Sequence, residues 1–547
     1  MKKIILSILL ILIISTSFSQ KDDWIRVFSE TEKDLSQNLI ETYDNGYIVL
    51  AITYPGGYPR YSWIKKTDIN GEMLWEKKFG DGSTIFGFLD IQKTDDGGYI
   101  LTGTNYLLDN TFGDPFFMKL NACGEKEWCR IFNHEGPLAF YESGLNIFPV
   151  PNEDTYISLV SLWGEKQWPG GVLQGIWLFK LNHDGEAIWM KNVFDQVQPE
   201  AWNEIPYQMF LSEEGELIIS GMTLYGDPIG FHKPFVVSAA LDGTENWWYI
   251  VAQNEEWRGE VNQAIKDSYG NIYATGWFAE YEPADIYYPG IHKLDTNGNI
   301  IYSKRIIDST EQANTFCINM VNDSTIDVAA AMKYPGQPFH NTIIRIDSSG
   351  NVLFEKQILQ SDFGFSNSIK TFDDKFLYVG PFKEGNFTKI HLHKFNSDLE
   401  YDSIYNQPLE YDYMCDDLPI VSDTISISDC DIWTNLPDEI EYRMAQKLVV
   451  YPNPAREKIK IKLPWATAVE QPFGPFTSRH YNLQYFKNSI LKIYDIYGKQ
   501  VKEISLKNQQ ENELEIDVST FPAGIYLINL YENNRKMASG KFVKNRW

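Results

Sequence analysis

Between Trp24 and Tyr405 the chain alternates between two kinds of segment. Short runs carry apolar residues at every second position, as in Asn299 to Ile306, and between them lie clusters of Gly, Asp and Asn. Period-two alternation bounded by turn residues predicts β-strands joined as hairpins, and no long stretch carries the 3.6-residue period of a helix. The runs recur as a unit. An aromatic stands four residues after a turn glycine at Gly71/Trp75, Gly124/Trp128, Gly185/Trp189, Gly243/Trp247, Gly298/Tyr302 and Gly350/Phe354, with Tyr401 as a degenerate seventh; successive aromatics lie 53, 61, 58, 55, 52 and 47 residues apart. Each unit opens an apolar strand after a polar turn, at Tyr47, Tyr99, Tyr156, Leu217, Ile272, Ile326 and Phe376. Four residues on stands a small residue in six units, Ala51, Gly103, Gly221, Gly276, Ala330 and Gly380, expected to let neighbouring units approach closely. A third strand reads apolar-Lys-apolar, as in Met118-Lys-Leu120 and His393-Lys-Phe395.

Four strands in each unit of about 50 residues is the signature of a propeller blade. The sequence therefore predicts an all-β protein whose residues 20–409 form a seven-bladed β-propeller. Trp24-Ile-Arg-Val-Phe28 repeats the outer-strand text Trp128-Cys-Arg-Ile-Phe132 without a hairpin partner before it, so it is expected to close the ring in the last blade. The units resemble the NHL-like and Asp-Gly-Gly-Tyr repeat propellers common among exported bacterial proteins. That resemblance implies fold and not activity, because propellers host hydrolases, lyases, scaffolds and adhesins alike.

After residue 409 the text changes. Residues 410–446 are acidic and read as a linker; residues 447–547 carry short alternating runs between Pro and Gly turns, which predicts a small Ig-like β-sandwich. The blocks Leu448-Val-Val-Tyr-Pro-Asn-Pro454, Leu491-Lys-Ile-Tyr-Asp-Ile-Tyr-Gly498, Phe521-Pro-Ala-Gly-Ile-Tyr-Leu-Ile-Asn529 and Lys541-Phe-Val-Lys544 resemble the type A C-terminal sorting domain of the type IX secretion system. The family pattern is interrupted at Pro464 to Asn488, read as a long hairpin insertion. The resemblance implies passage through the periplasm and export across the outer membrane by the type IX machinery as partner. It further implies removal of this domain and release or attachment at the cell surface.

The other end agrees with export. Lys2 and Lys3, the apolar run Ile4 to Ile14 and the small polar stretch Ser15 to Gln20 form a signal peptide over residues 1–19. The apolar run is too short for a bilayer, which needs about 20 residues, and no later window supplies a membrane span. A formal net charge of −26 disfavours nucleic acid and anionic membranes as partners. Export permits disulfides. Cys123 with Cys129, flanking a hairpin turn, and Cys415 with Cys430, bracketing the acidic segment, are the expected pairs; Cys317 is left as a lone buried thiol.

Catalytic signatures are sparse. The sequence holds no His-Glu-x-x-His, Gly-x-Ser-x-Gly, P-loop or Cys-x-x-Cys, and no cofactor or metal is expected. His391 and His393 share one side of a strand but lack a third ligand and read as a surface pair. Asp295-Thr-Asn-Gly-Asn299 has the look of a calcium loop and is expected to be a hairpin turn. The most informative cluster is aromatic: Tyr141, Trp202 and Trp257 each lie 15 residues before a second strand, with Glu142, Glu204 and Glu260 close behind. Trp163 and Trp168, with Tyr287 and Tyr288, are expected to join them on one face, where flat rings beside carboxylates suit a sugar. The expected function is a non-catalytic binding protein for a glycan or a surface protein. A secreted carbohydrate-active enzyme using carboxylates in the propeller pocket is the second reading, and a purely structural adhesin the third.

Overall fold

The computed structural model describes residues 24–30, 33–54, 61–80, 85–106, 113–132, 142–168, 171–193, 201–225, 232–250, 257–280, 286–361, 363–433, 446–462, 489–496, 498–507, 513–532 and 535–545. The signal segment at residues 1–19 lies outside them. Among the described residues there is no helix, and seven antiparallel sheets follow one another along the chain. The first runs Asp34–Glu41, Tyr47–Thr53, Tyr61–Thr67, Met73–Phe79, and the pattern continues unit by unit to the sixth, Gln312–Asn322, Thr325–Lys333, Phe339–Asp347, Val352–Gln360. The seventh takes three consecutive strands, Asn367–Lys370, Phe376–Glu384 and Phe387–Phe395, and completes itself with Ile25–Phe28 from the other end of the chain, as expected.

The first strands of successive sheets touch one another in order, and that of the seventh returns to that of the first. A separate apolar cluster fills each junction. Trp24, Tyr47, Trp63, Leu377 and Leu392 fill the one between the seventh and first sheets; clusters such as that of Ile218, Val261 and Leu294, between the fourth and fifth, fill the others. Sheets radiating from a closed cycle of inner strands make a propeller-like arrangement.

The repeated aromatics are explained by this packing. Trp75 lies against Gly124 of the next sheet, Trp128 against Gly185, Trp189 against Gly243, Trp247 against Gly298 and Tyr302 against Gly350. Trp24 does the same to Gly71, where φ is 77° and a Cβ would come within 2.9 Å of the indole. The third-strand lysines are buried clasps for the turn between the first two strands: Lys66 bonds Asp44 at 2.5 Å, Lys119 bonds Asp96 at 2.7 Å and Lys394 bonds Asp373 at 2.9 Å, while the half-buried Arg345 holds Asp327, opposite it on the second strand, at 2.7 and 2.8 Å. The small second-strand residues act within their own sheet rather than between units. A Cβ on Gly103, Gly221 or Gly276 would strike the carbonyl of Gly87, Ile205 or Glu260 on the adjacent first strand, where that strand bulges.

Residues 411–433, read from sequence as part of a linker, form a strap over the outer edges of the first two sheets. Asp423–Ile425 adds as a parallel fifth strand to Lys77–Phe79, and Asp431–Trp433 adds likewise to Arg130–Phe132. Two disulfides fasten it, Cys123–Cys415 and Cys129–Cys430, closing 292 and 301 residues. The local pairing expected from sequence is thus corrected. Cys129 sits in the outer strand opposite Met118 while Cys123 sits in the turn, so the hairpin holds them apart, and the extended strap separates Cys415 from Cys430. Cys317 is buried and free, and burial pushes its thiol up to about 12, which removes it as a nucleophile.

Beyond the strap, Gln446–Lys447, Arg535–Lys544, Gly524–Glu532, Ser489–Asp495 and Gln500–Ser505 make a five-stranded sheet, and Val449–Tyr451, Lys458–Lys462 and Glu513–Asp517 a three-stranded one. Ile459, Ile461, Leu491, Ile493, Ile528 and Phe542 form a core between them. The Pro464 to Asn488 insertion lies outside the described residues.

Candidate functional site

Six of the seven first strands bulge at one place, between Ser36/Asn38, Phe88/Asp90, Gly144/Asn146, Pro206/Gln208, Val261/Gln263 and Thr315/Cys317. The residue after each bulge, with Asn367 in the seventh sheet, forms a polar girdle. Asn38 donates to the Ile91 carbonyl at 3.2 Å and to Asp90; Asp90 accepts the Ile147 N–H at 2.8 Å, Asn146 that of Met209 at 2.8 Å and Gln263 that of Ile318 at 2.7 Å. Asn367 closes the circle onto Asn38. Asn38, Asp90, Asn146 and Gln263 thus each satisfy a backbone group of the next sheet near a bulge. Burial pushes the Asp90 carboxyl up to about 7 against the N–H groups that pull it down. The girdle is structural.

Nearer the face that carries the inter-sheet connections and the loops between second and third strands, the fourth to sixth sheets present a different set. Tyr207, in the bulge of the fourth, donates its hydroxyl to Glu260 Oε2 at 2.9 Å. Asn262, in the bulge of the fifth, donates to Asn314 Oδ1 at 2.8 Å and to the Thr315 carbonyl at 2.6 Å. Glu260 lies opposite Trp277 in the ladder, whose ring meets Tyr287 edge-on at 4.9 Å. Arg258 lies 5.9 Å from the Tyr287 ring centre, and Arg305 lies 4.1 Å from that of Tyr288. His232 feels both charges: burial and Arg258 hold its imidazole below the usual range, with Glu260 opposing them. Burial and the Glu260 carboxylate push the Tyr207 phenol far up, so it keeps its proton and serves as a donor, not a base. All these side chains are half-buried, combining aromatic edges with fixed donors and acceptors.

The expected site residues are placed unevenly. Tyr141 lies outside the described residues, as do the side chains of Trp163, Trp168, Trp202 and Trp257, although the backbones of these four are in strands. Glu204 and Glu142 are buried at 1% exposure rather than displayed. Measured from the bulge, Glu142 and Glu204 stand three residues before it and Glu260 two. Strand alternation therefore turns Glu260 to the opposite side, and only it joins Tyr207 and Tyr287. The shared spacing of 15 residues concealed this because the second strand was the reference. A sharper signal was present: Asn38, Asp90, Gln208, Gln263, Cys317 and Asn367 each precede the small second-strand residue by 13 positions, a spacing that marks five of the six bulges.

The other polar candidates resolve into structure. His393 is fully buried and His391 half-buried, with rings 6.0 Å apart among Phe382, Phe395 and Tyr401, because the strand carrying them is covered on both edges. They are not a surface pair. Asp295 accepts the N–H groups of Asn297 and Asn299 within its own turn.

With the two C-terminal sheets and their shared core described, the sequence of that region can be matched. Residues 449–545 match the secretion system C-terminal sorting domain. A type IX sorting tail sends the protein that bears it to the cell surface or beyond, and no helix among the described residues is long and apolar enough to cross a membrane. No curated protein sequence is significantly similar to the chain. Among solved structures, one of unknown function from Dyadobacter fermentans has a TM-score of 0.41 at 10% identity, covering 69% of this chain and 98% of that one. PorZ, a surface component of the type IX secretion system of Porphyromonas gingivalis, has a TM-score of 0.34 at 10% identity, covering 92% of this chain and 69% of its own. A polysaccharide lyase, ulvan lyase, has a TM-score of 0.47 at 10% identity, covering 69% and 97%.

Proposed function

We propose that this chain is made with a cleaved signal peptide, exported by the type IX machinery, and works at the cell surface as a non-catalytic glycan-binding protein. In this reading residues 20–409 are a seven-bladed propeller of the NHL-like, Asp-Gly-Gly-Tyr repeat type, and the C-terminal sheets are an Ig-like sandwich that serves sorting. The observation that carries the binding role is the half-buried set of Tyr207, Glu260, Trp277 and Tyr287 beside Arg258. Its rings offer apolar faces to C–H groups, and Glu260 and Asn314 offer acceptors to hydroxyls. A glycosidase needs two carboxyl groups about 5 to 9 Å apart, whereas Glu204 and Glu260 lie on opposite sides of their strands.

A glycan array probed with the full exported chain tests this. Binding is expected, with Tyr287→Ala and Glu260→Ala each weakening it by about tenfold, the 1.4 kcal/mol of one good contact, at unchanged melting temperature. No bound glycan, binding indifferent to both changes, or hydrolysis of a bound glycan would overturn the reading.

A further inference from the structure

The strap covers the outer edges of the first two sheets and stops. Its chemistry is regular. Two residues beyond the outer-strand aromatic stands a cation, Lys77 after Trp75 and Arg130 after Trp128. Each reaches the turn of the next sheet, Lys77 to Glu125 at 2.5 Å and Arg130 to the Asp184 carbonyl at 3.1 Å. Each also takes a carboxylate from the strap, Asp423 at 2.8 Å and Asp431 at 2.5 Å. The strap strands begin opposite those cations, so two acids eight residues apart step the strap from one sheet edge to the next.

The fifth and sixth sheets repeat half of this arrangement. Lys304 follows Tyr302 and Lys356 follows Phe354 by the same two residues. They reach the next turn in the same way, to the Ser349 carbonyl at 2.6 Å and the Leu399 carbonyl at 2.6 Å. Among the described residues no strand pairs with the outer side of Ile300–Arg305 or Val352–Gln360. Ile301, Leu353 and Phe354, on the same outer strands, stand at 51%, 57% and 44% exposure. An edge with unpaired backbone groups, apolar side chains and a lysine is a template for strand addition.

We infer that the outer edges of the fifth and sixth sheets bind an extended acidic segment of a partner protein. It lies parallel to the outer strands, with two carboxylates eight residues apart on Lys304 and Lys356. The strap itself is the precedent for geometry and charge. It is not the occupant, because two disulfides hold it on the first two sheets. The inference does not depend on the glycan site, whose residues lie on the first three strands of their sheets and not on the outer ones.

The probe is a labelled peptide with the strap sequence, residues 420–433 with Cys430→Ser, added to the intact oxidised full chain. Saturable binding is expected, with hydrogen-exchange protection at residues 300–306 and 352–358. Lys304→Glu with Lys356→Glu should weaken it by about tenfold or more, and so should Asp423→Asn with Asp431→Asn in the peptide, a change that leaves the protein's folding untouched. Absence of binding, binding indifferent to the peptide's two acids, or protection confined to other parts of the chain would overturn the inference.

Discussion

At Trp24 an indole with no exposed surface sits between the seventh and first sheets, its ring against Gly71 and its carbonyl accepting the Lys394 N–H at 3.2 Å. It repeats what Trp75 and Trp128 do further round the ring, but from the residue just before a strand only four residues long. Trp24→Ala should therefore cost about 3 to 5 kcal/mol, as for a large buried aromatic, read as a lowered denaturation midpoint. A loss under 1 kcal/mol would show the strand to be dispensable. Histidine burial sets the acid limit. His292 and His393 are fully buried, and burial lowers each imidazole to about 3. Their unfolded counterparts protonate near 6.5, so the unfolded chain binds more protons between about pH 6.5 and 3, and stability falls as pH drops through that window. At pH 5 each should already have cost about 2 kcal/mol. His393→Phe should flatten the fall in denaturation midpoint between pH 7 and 5; an unchanged slope would count against the burial argument.

On the scale of elements, the strap and the closing strand tie the two ends of the propeller-like ring together. Ile25–Phe28 completes the seventh sheet, and 411–433 runs from there across the first and second. Loops of 292 and 301 residues make the two disulfides long-range cross-links. In the chain-entropy model a single such link is worth about 6 kcal/mol, and the second less because the first has already shortened its loop. Replacing Cys123 and Cys415 by Ser should lower the melting temperature clearly, and reducing both bonds more so. Mapping by mass spectrometry should recover the peptides joined as 123–415 and 129–430; recovery of 123–129 would refute the strap's fastening.

For the whole molecule the division of labour is between a ring that buries its own core and a C-terminal pair of sheets with a separate one. The two cores share no residue, so loss of the second should leave the first intact. A chain truncated after Asp438 keeps the strap and both disulfides and loses the residues that match the sorting domain. It should accumulate folded in the periplasm, shown by fractionation and by the melting temperature of the recovered protein. Delivery of that truncation to the surface would contradict the sorting role.

By itself the sequence determined the all-β class, the repeat, the two-ended closure and the sorting tail, because each is written in local text. Turn glycines, period-two runs and outer-strand aromatics specify a strand and its hairpin without reference to distant residues. Tertiary structure decided what depends on neighbours across the ring. Cys123 and Cys129 look like partners along the chain, yet the strap brings Cys415 and Cys430 to them from 292 and 301 residues away. Glu204 and Glu260 look equivalent along the chain, yet one bulge position reverses the side on which Glu260 emerges and sets it against Tyr207 of another sheet. Distances along the chain fix which residues form a strand; only the packing of one sheet on the next fixes which of their side chains meet.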